Sequence, residues 1–339
     1  MSDKAIRPED QKQETRHMPD FLPRIAVIGE CLVELRDAKA PQLTYGFGGD
    51  SFNTAVYMAR LGARFGKFVD YVSAVGDDHF SREMVAFWQA QNIGTKLTSI
   101  IPGHAAGLYL VSVDATGERS FTYWRNDSAA RDMFETEASN HVLEALAQYD
   151  LIYLSGISLA ILRPRSRERL LNRLETLSRA GIPIAFDGNH RPILWQNPSE
   201  ARQIWERLLP LAQWVLLTVE ELTVMGVEPN VSAGLEFFGN WPQVEWVLKN
   251  GGAPCHIRHG NQNFQIPAHK AERITDTTAA GDSFSAAYLL TRLLGDSIPN
   301  SAFNAHKLAA KVIAYSGAII PTASMPDLRS EKIENFKSF

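Results

Sequence analysis

Short β-branched runs alternate with longer segments of helical spacing along most of the chain, and this pattern constrains the fold more than any other feature. The first run is Arg24 to Gly29, and a helix is expected over Phe52 to Leu61, where Gly62 ends it. Further strands are predicted at 69–75, 151–155, 182–186, 214–217, 244–249, 255–258 and 264–266, and further helices at 80–91, 137–148, 166–180, 199–209 and 301–316. This alternation predicts an α/β fold built on one open sheet.

Two runs of alternating polarity interrupt that pattern. They cover 107–114 (GLYLVSVD) and 120–125 (SFTYWR), and the residues 115–118 that join them predict a hairpin. Alternation in Cys31 to Leu35 predicts a half-exposed strand that leaves the main sheet. The glycines of 46–50 predict a permissive loop before the first helix. These segments together predict a small second sheet laid over the main one.

The stretch from Asp276 to Phe284 (DTTAAGDSF) carries the strongest functional signal. Its small residues allow close backbone approach, and the apolar spacing after them predicts that a helix begins here. Because the first N–H groups of a helix lack internal partners, the amides of Ala279, Ala280 and Gly281 can bind an anion. Asp282, in the first turn, can accept a proton from an attacking hydroxyl, which completes a phosphoryl-transfer site. The alternative is an ordinary helix start, and the loop alone favours neither interpretation.

Polar residues also stand at the carboxyl ends of predicted strands, where open α/β sheets bind ligands. They are Asp187, Asn189 and Arg191 after one strand, Thr218 and Glu221 after the next, and Lys249 and Gly251 after a third. This convergence favours phosphoryl transfer over an ordinary helix start.

Composition limits the remaining possibilities. The 339 residues, 45% of them hydrophobic, suffice for one large domain or two smaller ones. A net charge of −4 with scattered basic residues argues against nucleic acid or an anionic membrane as the main partner, and no apolar run approaches the ~20 residues of a membrane span. Cys31 and Cys255, far apart, suit a reducing cytoplasm. Residues 1–22 are predicted to form a mobile extension and 331–339 a tail.

Two motifs resemble the signatures of the PfkB, or ribokinase-like, carbohydrate kinases. DTTAAGDSF at 276–284 is similar to the carboxy-terminal signature, and GGDSFNTA at 48–55 to the amino-terminal one. Further stretches resemble the bacterial 2-keto-3-deoxygluconate kinases within that family, namely GEC at 29–31, YWRN at 123–126, LSGISLAIL at 154–162 and GAIIP at 317–321. The resemblance runs from about Ile25 to Pro326. It implies a three-layer α/β/α sandwich at 23–330, with a small β-sheet lid whose strands lie at about 31–47 and 105–126.

The resemblance also implies the site residues. Asp282 would be the catalytic base, and Ala279, Ala280 and Gly281 the anion hole. The sugar site would comprise Gly48, Gly49, Asp50, Asn53, Tyr109, Tyr123, Arg125 and Asp282. ATP would contact Asn189, Arg191, Thr218, Lys249, Asn250, Gly251, Gly252, Ala279 and Gly281. Glu221 would hold Mg²⁺ through water, although threonine stands at 218 where many relatives have asparagine. Alanine likewise stands at 279 where many relatives have glycine.

Substrate choice is predicted to depend on Arg125. Its guanidinium can grip a carboxylate bidentately, and 2-keto-3-deoxygluconate has a carboxylate whereas fructose does not. The alternative is that Arg125 is a solvated strand end and that Tyr109 and Tyr123 only pack the lid; the resemblance favours the clamp. The implied reaction transfers the γ-phosphoryl of ATP to the 6-hydroxyl of that sugar acid, in sugar-acid catabolism.

Other functions stay open at this point. One rival is a PfkB kinase for fructose or for 2-keto-3-deoxygalactonate. A rival of another class is a non-catalytic sugar-acid-binding sensor, against which the intact Asp282 loop argues. Because lid strands of this family often pair between subunits, a homodimer is expected.

Overall fold

The computed structural model describes residues 23–39, 42–63, 68–113 and 119–328. The predicted extension at 1–22, the predicted tail at 331–339 and the predicted hairpin turn at 115–118 lie outside the described residues.

A nine-stranded sheet forms the centre of the described molecule, in the order β13-β12-β11-β10-β9-β8-β1-β4-β5. Numbered in chain order, its strands are β1 (Ile25–Ile28), β4 (Val69–Val75), β5 (Thr98–Ile100), β8 (Leu151–Ser155), β9 (Ile184–Asp187), β10 (Trp214–Thr218), β11 (Glu245–Lys249), β12 (Cys255–His259) and β13 (Gln262–Ile266). Neighbours from β11 to β5 pair in parallel, whereas β12 and β13 pair antiparallel. The parallel strands therefore end at one common edge.

Helices cover both faces of this sheet. They are α1 (Asp50–Leu61), α2 (His79–Ala90), α3 (Asn140–Ala145), α4 (Gly156–Ile161), α5 (Pro164–Arg179), α6 (Pro198–Leu208), α7 (Val231–Phe238), α8 (Ala280–Leu293) and α9 (Ile298–Val312). Successive strand residues alternate between two buried clusters: Ile25 and Val27 pack with α1, α8 and α9, while Ala26 and Ile28 pack with α4, α5 and α6. Because side chains alternate across a strand, this two-sided burial confirms the three-layer sandwich.

A separate four-stranded sheet, in the order β3-β2-β6-β7, is the predicted lid. Its strands are β2 (Leu32–Lys39), β3 (Gln42–Gly48), β6 (Leu108–Val113) and β7 (Arg119–Trp124). The antiparallel pairing of β6 with β7 confirms the hairpin. The predicted loop at 46–50 is wrong, since Gly46 to Gly48 complete β3 and Asp50 already begins α1. The two glycines of β3 are tolerated because β2 pairs with both of them.

Three further elements depart from the sequence pattern. The helix predicted at 137–148 is broken, with 3₁₀ turns on either side of α3. Neither α4 nor α7 was predicted, because six and eight residues are too few to show a helical period. Ser155 and Ser158 start α4 with reciprocal cap hydrogen bonds. No helix in the described ranges is long and apolar enough to cross a bilayer.

Candidate active site

A cavity of about 720 Å³ lies where the carboxyl ends of β9, β10 and β11 meet the lid and the start of α8. Most of the residues predicted for the site line it: Gly49, Asp50, Asn53, Tyr109, Tyr123, Arg125, Asn189, Arg191, Thr218, Glu221, Lys249, Ala279, Ala280, Gly281 and Asp282. Gly48 stands just behind, because a Cβ on it would come within 2.8 Å of the Tyr109 hydroxyl. Asn250, Gly251 and Gly252 do not line the cavity; they form the turn after β11, and both glycines are exposed.

Asp282 lies in the first turn of α8, as predicted. Its Oδ2 accepts a hydrogen bond of 2.8 Å from Asn53 Nδ2, which fixes the carboxylate toward α1. Burial and the nearby Asp50 carboxylate raise the pKa of Asp282 to about 8, while Asn53 and Lys249 act in the opposite direction. Only the ionised fraction of this carboxyl can take a proton from a hydroxyl, and that fraction grows as the pH rises toward 8.

The loop before Asp282 is held by Asp276, a residue 4% exposed. One Asp276 oxygen accepts from the Thr278 N–H at 3.0 Å and the other from the Gly317 N–H at 2.6 Å. Ala279 has φ 61°, the left-handed conformation that favours glycine. This conformation turns the chain into α8.

Of the three amides predicted for the anion hole, one already has a hydrogen-bond acceptor within the protein. The Ala280 N–H donates to the Thr277 carbonyl at 3.2 Å, so it is already engaged. Within the described residues, the amides of Ala279 and Gly281 have no hydrogen-bond acceptor. These two donors, at the positive end of α8, are the ones available to an anion.

The first turn of α1 presents two polar side chains to the cavity. Asp50 accepts a 3.0 Å hydrogen bond from Asn189 Nδ2, which joins the predicted sugar side to the predicted nucleotide side. Asn53 Oδ1 is buried and, among the described residues, has no partner. A buried acceptor of this kind favours a ligand with a hydroxyl donor.

Lys249, at the end of β11, lies beneath the anion hole. Its Nζ is 2.9 Å from both carboxylate oxygens of Asp187, and Ser285 donates to the same carboxylate at 2.5 Å. A Cβ on Gly281 would stand 3.7 Å from that Nζ. Burial disfavours the ammonium charge, but Asp187 and Glu221 outweigh it and raise the pKa of Lys249. A cation that is paired with Asp187 therefore stands close to Gly281.

Glu221 is bound by backbone donors rather than left free. Its two oxygens accept from the N–H groups of Thr218 and His190, each at 2.7 Å. Burial raises the pKa of Glu221 against the opposing effects of Lys249 and of these two donors. Among the described residues, no group of three side chains is arranged to hold a metal directly. The water-mediated contact of Glu221 with Mg²⁺ stays a prediction.

Arg125 is paired within the protein. It is buried, and its Nη2 donates to Glu30, a carboxylate that also accepts from Ser128. Because Arg125 is 7% exposed, the alternative of a solvated strand end is wrong. Glu30 occupies Nη2 only, and the predicted carboxylate clamp stays a prediction. Arg125 Nε, however, is buried without a partner in the described part of the chain.

The lid tyrosines also differ from one another. Tyr109 is 8% exposed, and its hydroxyl donates to Glu34, so it cannot also donate to a sugar as predicted. Tyr123, 50% exposed on the neighbouring strand, lies directly opposite Tyr109 and lines the cavity.

Four residues that contribute to the site had no role predicted from the sequence, although two of them stand in the quoted motifs. They are Glu30, Glu34, Asp276 and His190. The carboxylates lack a local signal because their partners are distant, as with Glu30 and Arg125, which are 95 positions apart. Asp276 is the exception, because an aspartate side chain commonly accepts a hydrogen bond from the backbone N–H two residues later.

Comparison with known proteins adds independent information. The model of the pfkB family carbohydrate kinases matches residues 22–325. Two curated proteins named 2-dehydro-3-deoxygluconokinase are similar throughout: that of Dickeya dadantii is 44% identical, covering 89% of this chain and 98% of its own, and that of Escherichia coli K12 is 42% identical, covering 89% and 99%. A solved structure of a putative ribokinase II from E. coli, in complex with ATP and Mg²⁺, superposes with a TM-score of 0.74 at 21% identity, covering 91% of this chain and 97% of that one.

Proposed function

The chain belongs to the pfkB family of carbohydrate kinases, and from that premise we propose that it phosphorylates 2-keto-3-deoxygluconate at the 6-hydroxyl, using ATP, as a cytoplasmic enzyme of sugar-acid catabolism. The observation that carries this proposal is the Asp282 carboxylate, held by Asn53 at the start of α8 beside two unengaged amides. Identities of 42–44% over nearly the whole chain to proteins named for this substrate support the choice of sugar acid.

Asp282 acts as the base in this proposal. A sugar hydroxyl is a weak nucleophile at neutral pH, and a carboxylate within hydrogen-bond reach orients it and accepts its proton as the P–O bond forms. Asn53 holds the carboxylate through Nδ2 and offers its unpaired Oδ1 to a neighbouring sugar hydroxyl. The proton of the 6-hydroxyl thus passes to Asp282, the oxygen bonds to the γ-phosphorus of ATP, and the bond from that phosphorus to the β–γ bridging oxygen breaks, so that ADP leaves.

The phosphoryl side fits an ATP phosphate chain. The amides of Ala279 and Gly281 and the ammonium of Lys249 would stabilise the transferring phosphoryl, with Asn189, Arg191 and Thr218 along the rest of the chain. Mg²⁺ would supply charge neutralisation between the phosphates, and Glu221 would hold it through water. Asn250, Gly251 and Gly252 stay proposed nucleotide contacts beyond the cavity rim.

The sugar-acid side is formed by α1 and the lid. We assign the carboxylate of the substrate to Arg125, whose buried Nε lacks a partner while Glu30 holds Nη2. Glu30 therefore fixes the guanidinium plane and does not compete for every donor. Tyr123 would close over the sugar from the lid, and Gly48, Gly49 and Asp50 would contact its hydroxyls.

A direct assay tests the function. The purified protein would be given Mg²⁺-ATP with 2-keto-3-deoxygluconate, 2-keto-3-deoxygalactonate, fructose or ribose, and ADP release would be followed. We expect turnover with the keto-deoxy acids and a kcat/KM at least ~10²-fold lower with fructose, since the buried Nε of Arg125 then keeps no acceptor. Preference for a neutral sugar would overturn the role of Arg125, and binding without any turnover would favour a sensor.

We also propose that the protein is a homodimer joined through the lid. Large apolar side chains are exposed there, among them Leu43 (52%), Tyr45 (52%) and Trp124 (57%). Light scattering after size-exclusion chromatography should give twice the 37.7 kDa chain mass, and Leu43→Asp should halve it. A monomeric wild type would contradict the dimer.

A further inference from the structure

A lid arginine reaches from the small sheet to the segment that supports the anion-hole loop. Arg36 projects from β2, and its Nε donates to Glu34, the same carboxylate that accepts the Tyr109 hydroxyl. A Cβ placed on Gly317 would stand 3.0 Å from each of the two terminal guanidinium nitrogens. The guanidinium therefore lies against the backbone of Gly317, in space that any side chain at 317 would fill.

Gly317 is in turn bound to the loop before α8. Its N–H donates to Asp276 Oδ2 at 2.6 Å, while Asp276 Oδ1 accepts from the Thr278 N–H. Thr278 directly precedes Ala279, the first unengaged amide of the anion hole. A continuous series of contacts thus joins a lid strand to the phosphoryl-binding donors, through Arg36, Gly317 and Asp276.

Electrostatics supports the same connection. Burial opposes the charge of Arg36, but Glu34, Tyr109 and Asp276 outweigh it and raise the pKa of Arg36. The Asp276 carboxylate, itself 4% exposed, therefore lies within electrostatic reach of a cation from the lid. A buried carboxylate benefits from such a charge in addition to its backbone donors.

The segment after Gly317 is fixed from the other side by α1. The Tyr57 hydroxyl donates to the Ala318 carbonyl at 2.6 Å, and Arg60 Nη1 donates to the Ile320 carbonyl at 2.5 Å. Because α1 also carries Asp50 and Asn53, this segment has a rigid support on the side of the main sheet. In this series of contacts, Arg36 is the member that belongs to the lid.

We propose that Arg36 is a positioning residue that couples the lid to the anion hole, so that the sugar held under the lid sets the amides that receive the phosphoryl group. This inference rests on the proposed kinase function. Arg36 does not line the cavity, so it touches neither substrate nor reacting atoms and acts through Gly317 and Asp276. Donors fixed before the reaction stabilise the developing charge better than donors that must reorient.

The test compares Arg36→Met with wild type. We expect kcat to fall roughly 10–100-fold, less than the ~10²–10³-fold typical of removing a donor outright, with the Kd of the nucleotide in the absence of sugar within about 2-fold. Calorimetry with a non-hydrolysable ATP analogue should show that 2-keto-3-deoxygluconate tightens nucleotide binding in wild type and not in Arg36→Met. The matched control is Arg82→Met, which removes an exposed arginine on α2 that donates to the Asp77 carbonyl, and it should leave all three quantities unchanged.

A second variant keeps the inference testable if Arg36→Met folds poorly. Arg36→Ala leaves space for guanidinium ion, and a few millimolar of its chloride should restore kcat several-fold, whereas sodium chloride at equal ionic strength should not. Unchanged kcat and unchanged binding synergy in a folded Arg36→Met would overturn the coupling. A wild type inert toward every sugar acid would instead contradict the proposed function, so the two failures are distinguishable.

Discussion

Asp282 shows at the scale of one residue how burial prepares a base. Its carboxyl is enclosed beside Asp50, which raises its pKa to about 8. Since only the ionised form accepts a proton, kcat/KM should rise about tenfold per pH unit up to about pH 8 and then level off. The measurement is the pH profile at low sugar concentration. A profile flat from pH 6 to 8 would contradict a base with this pKa.

The same burial predicts how Asp282→Asn behaves. A carboxyl whose pKa is higher in the folded than in the unfolded state stabilises the fold at low pH, and this contribution is lost as pH rises through about 8. Asparagine avoids that loss, so the variant should lose turnover by at least ~10³-fold yet melt on the order of 2 °C or more above wild type at pH 9. The two melting temperatures should converge toward pH 4. If the variant were less stable than wild type at pH 9, burial of the Asp282 charge would not cost folding free energy.

Ala279 carries a backbone cost at the anion hole. Its φ of 61° costs roughly 1–2 kcal/mol for a residue with a Cβ. Ala279→Gly should therefore stabilise the protein by roughly 0.5–1 kcal/mol after the greater chain entropy of glycine is subtracted, with kcat within about 2-fold. Ala280→Gly, inside α8, is the matched control and should destabilise by up to ~1 kcal/mol. Denaturant midpoints of the two variants decide, and a loss of stability in Ala279→Gly would contradict the strain.

At the scale of elements, close approach at the start of α1 positions the sugar site. A Cβ on Gly49 would come 2.3 Å from the Glu30 carbonyl, a clash that only a backbone shift can relieve. Gly49→Ala should displace the first turn, with Asp50 and Asn53, and raise the KM for the sugar at least ~10-fold. Gly46→Ala is the control, because a Cβ there meets nothing within 4 Å. Equal kinetics in the two variants would show that the approach is not needed.

The elements also show how far a sequence alone carries. β4 and β8 have the predicted bounds, and α8 begins where the small-residue loop predicted, because long β-branched runs and helix starts are encoded locally. The state of Arg125 was not predictable. Its partner Glu30 lies 95 positions earlier in the chain, before the first lid strand, and only the tertiary structure brings the two together. The motifs therefore predict which residues form the site. Which of their hydrogen-bond donors can still bind a ligand depends on tertiary contacts.

At the scale of the whole molecule, α8 and β11 both extend from the active site, at the carboxyl ends of the strands, to the opposite end of the central sheet. At one end Lys249 lies beneath Gly281. At the other end Glu245, 1% exposed, accepts from Arg292 through both oxygens and from Tyr288 at 2.7 Å. The helix that carries the base is thus fixed to the sheet at two points.

Stability and catalysis should therefore separate along α8. Arg292→Ala leaves the Glu245 carboxylate buried with fewer donors, which should cost roughly 2–3 kcal/mol because the arginine itself is partly solvated. The base end keeps its own contacts, so kcat should stay within about 2-fold where the variant is folded. Arg202→Ala breaks an exposed pair with Glu206 and, as the control, should cost less than ~0.5 kcal/mol. Urea midpoints and kcat on the same samples decide. A large fall in the kcat of folded Arg292→Ala would mean that the placement of Asp282 depends on the far end of α8, so that the helix acts as one rigid unit.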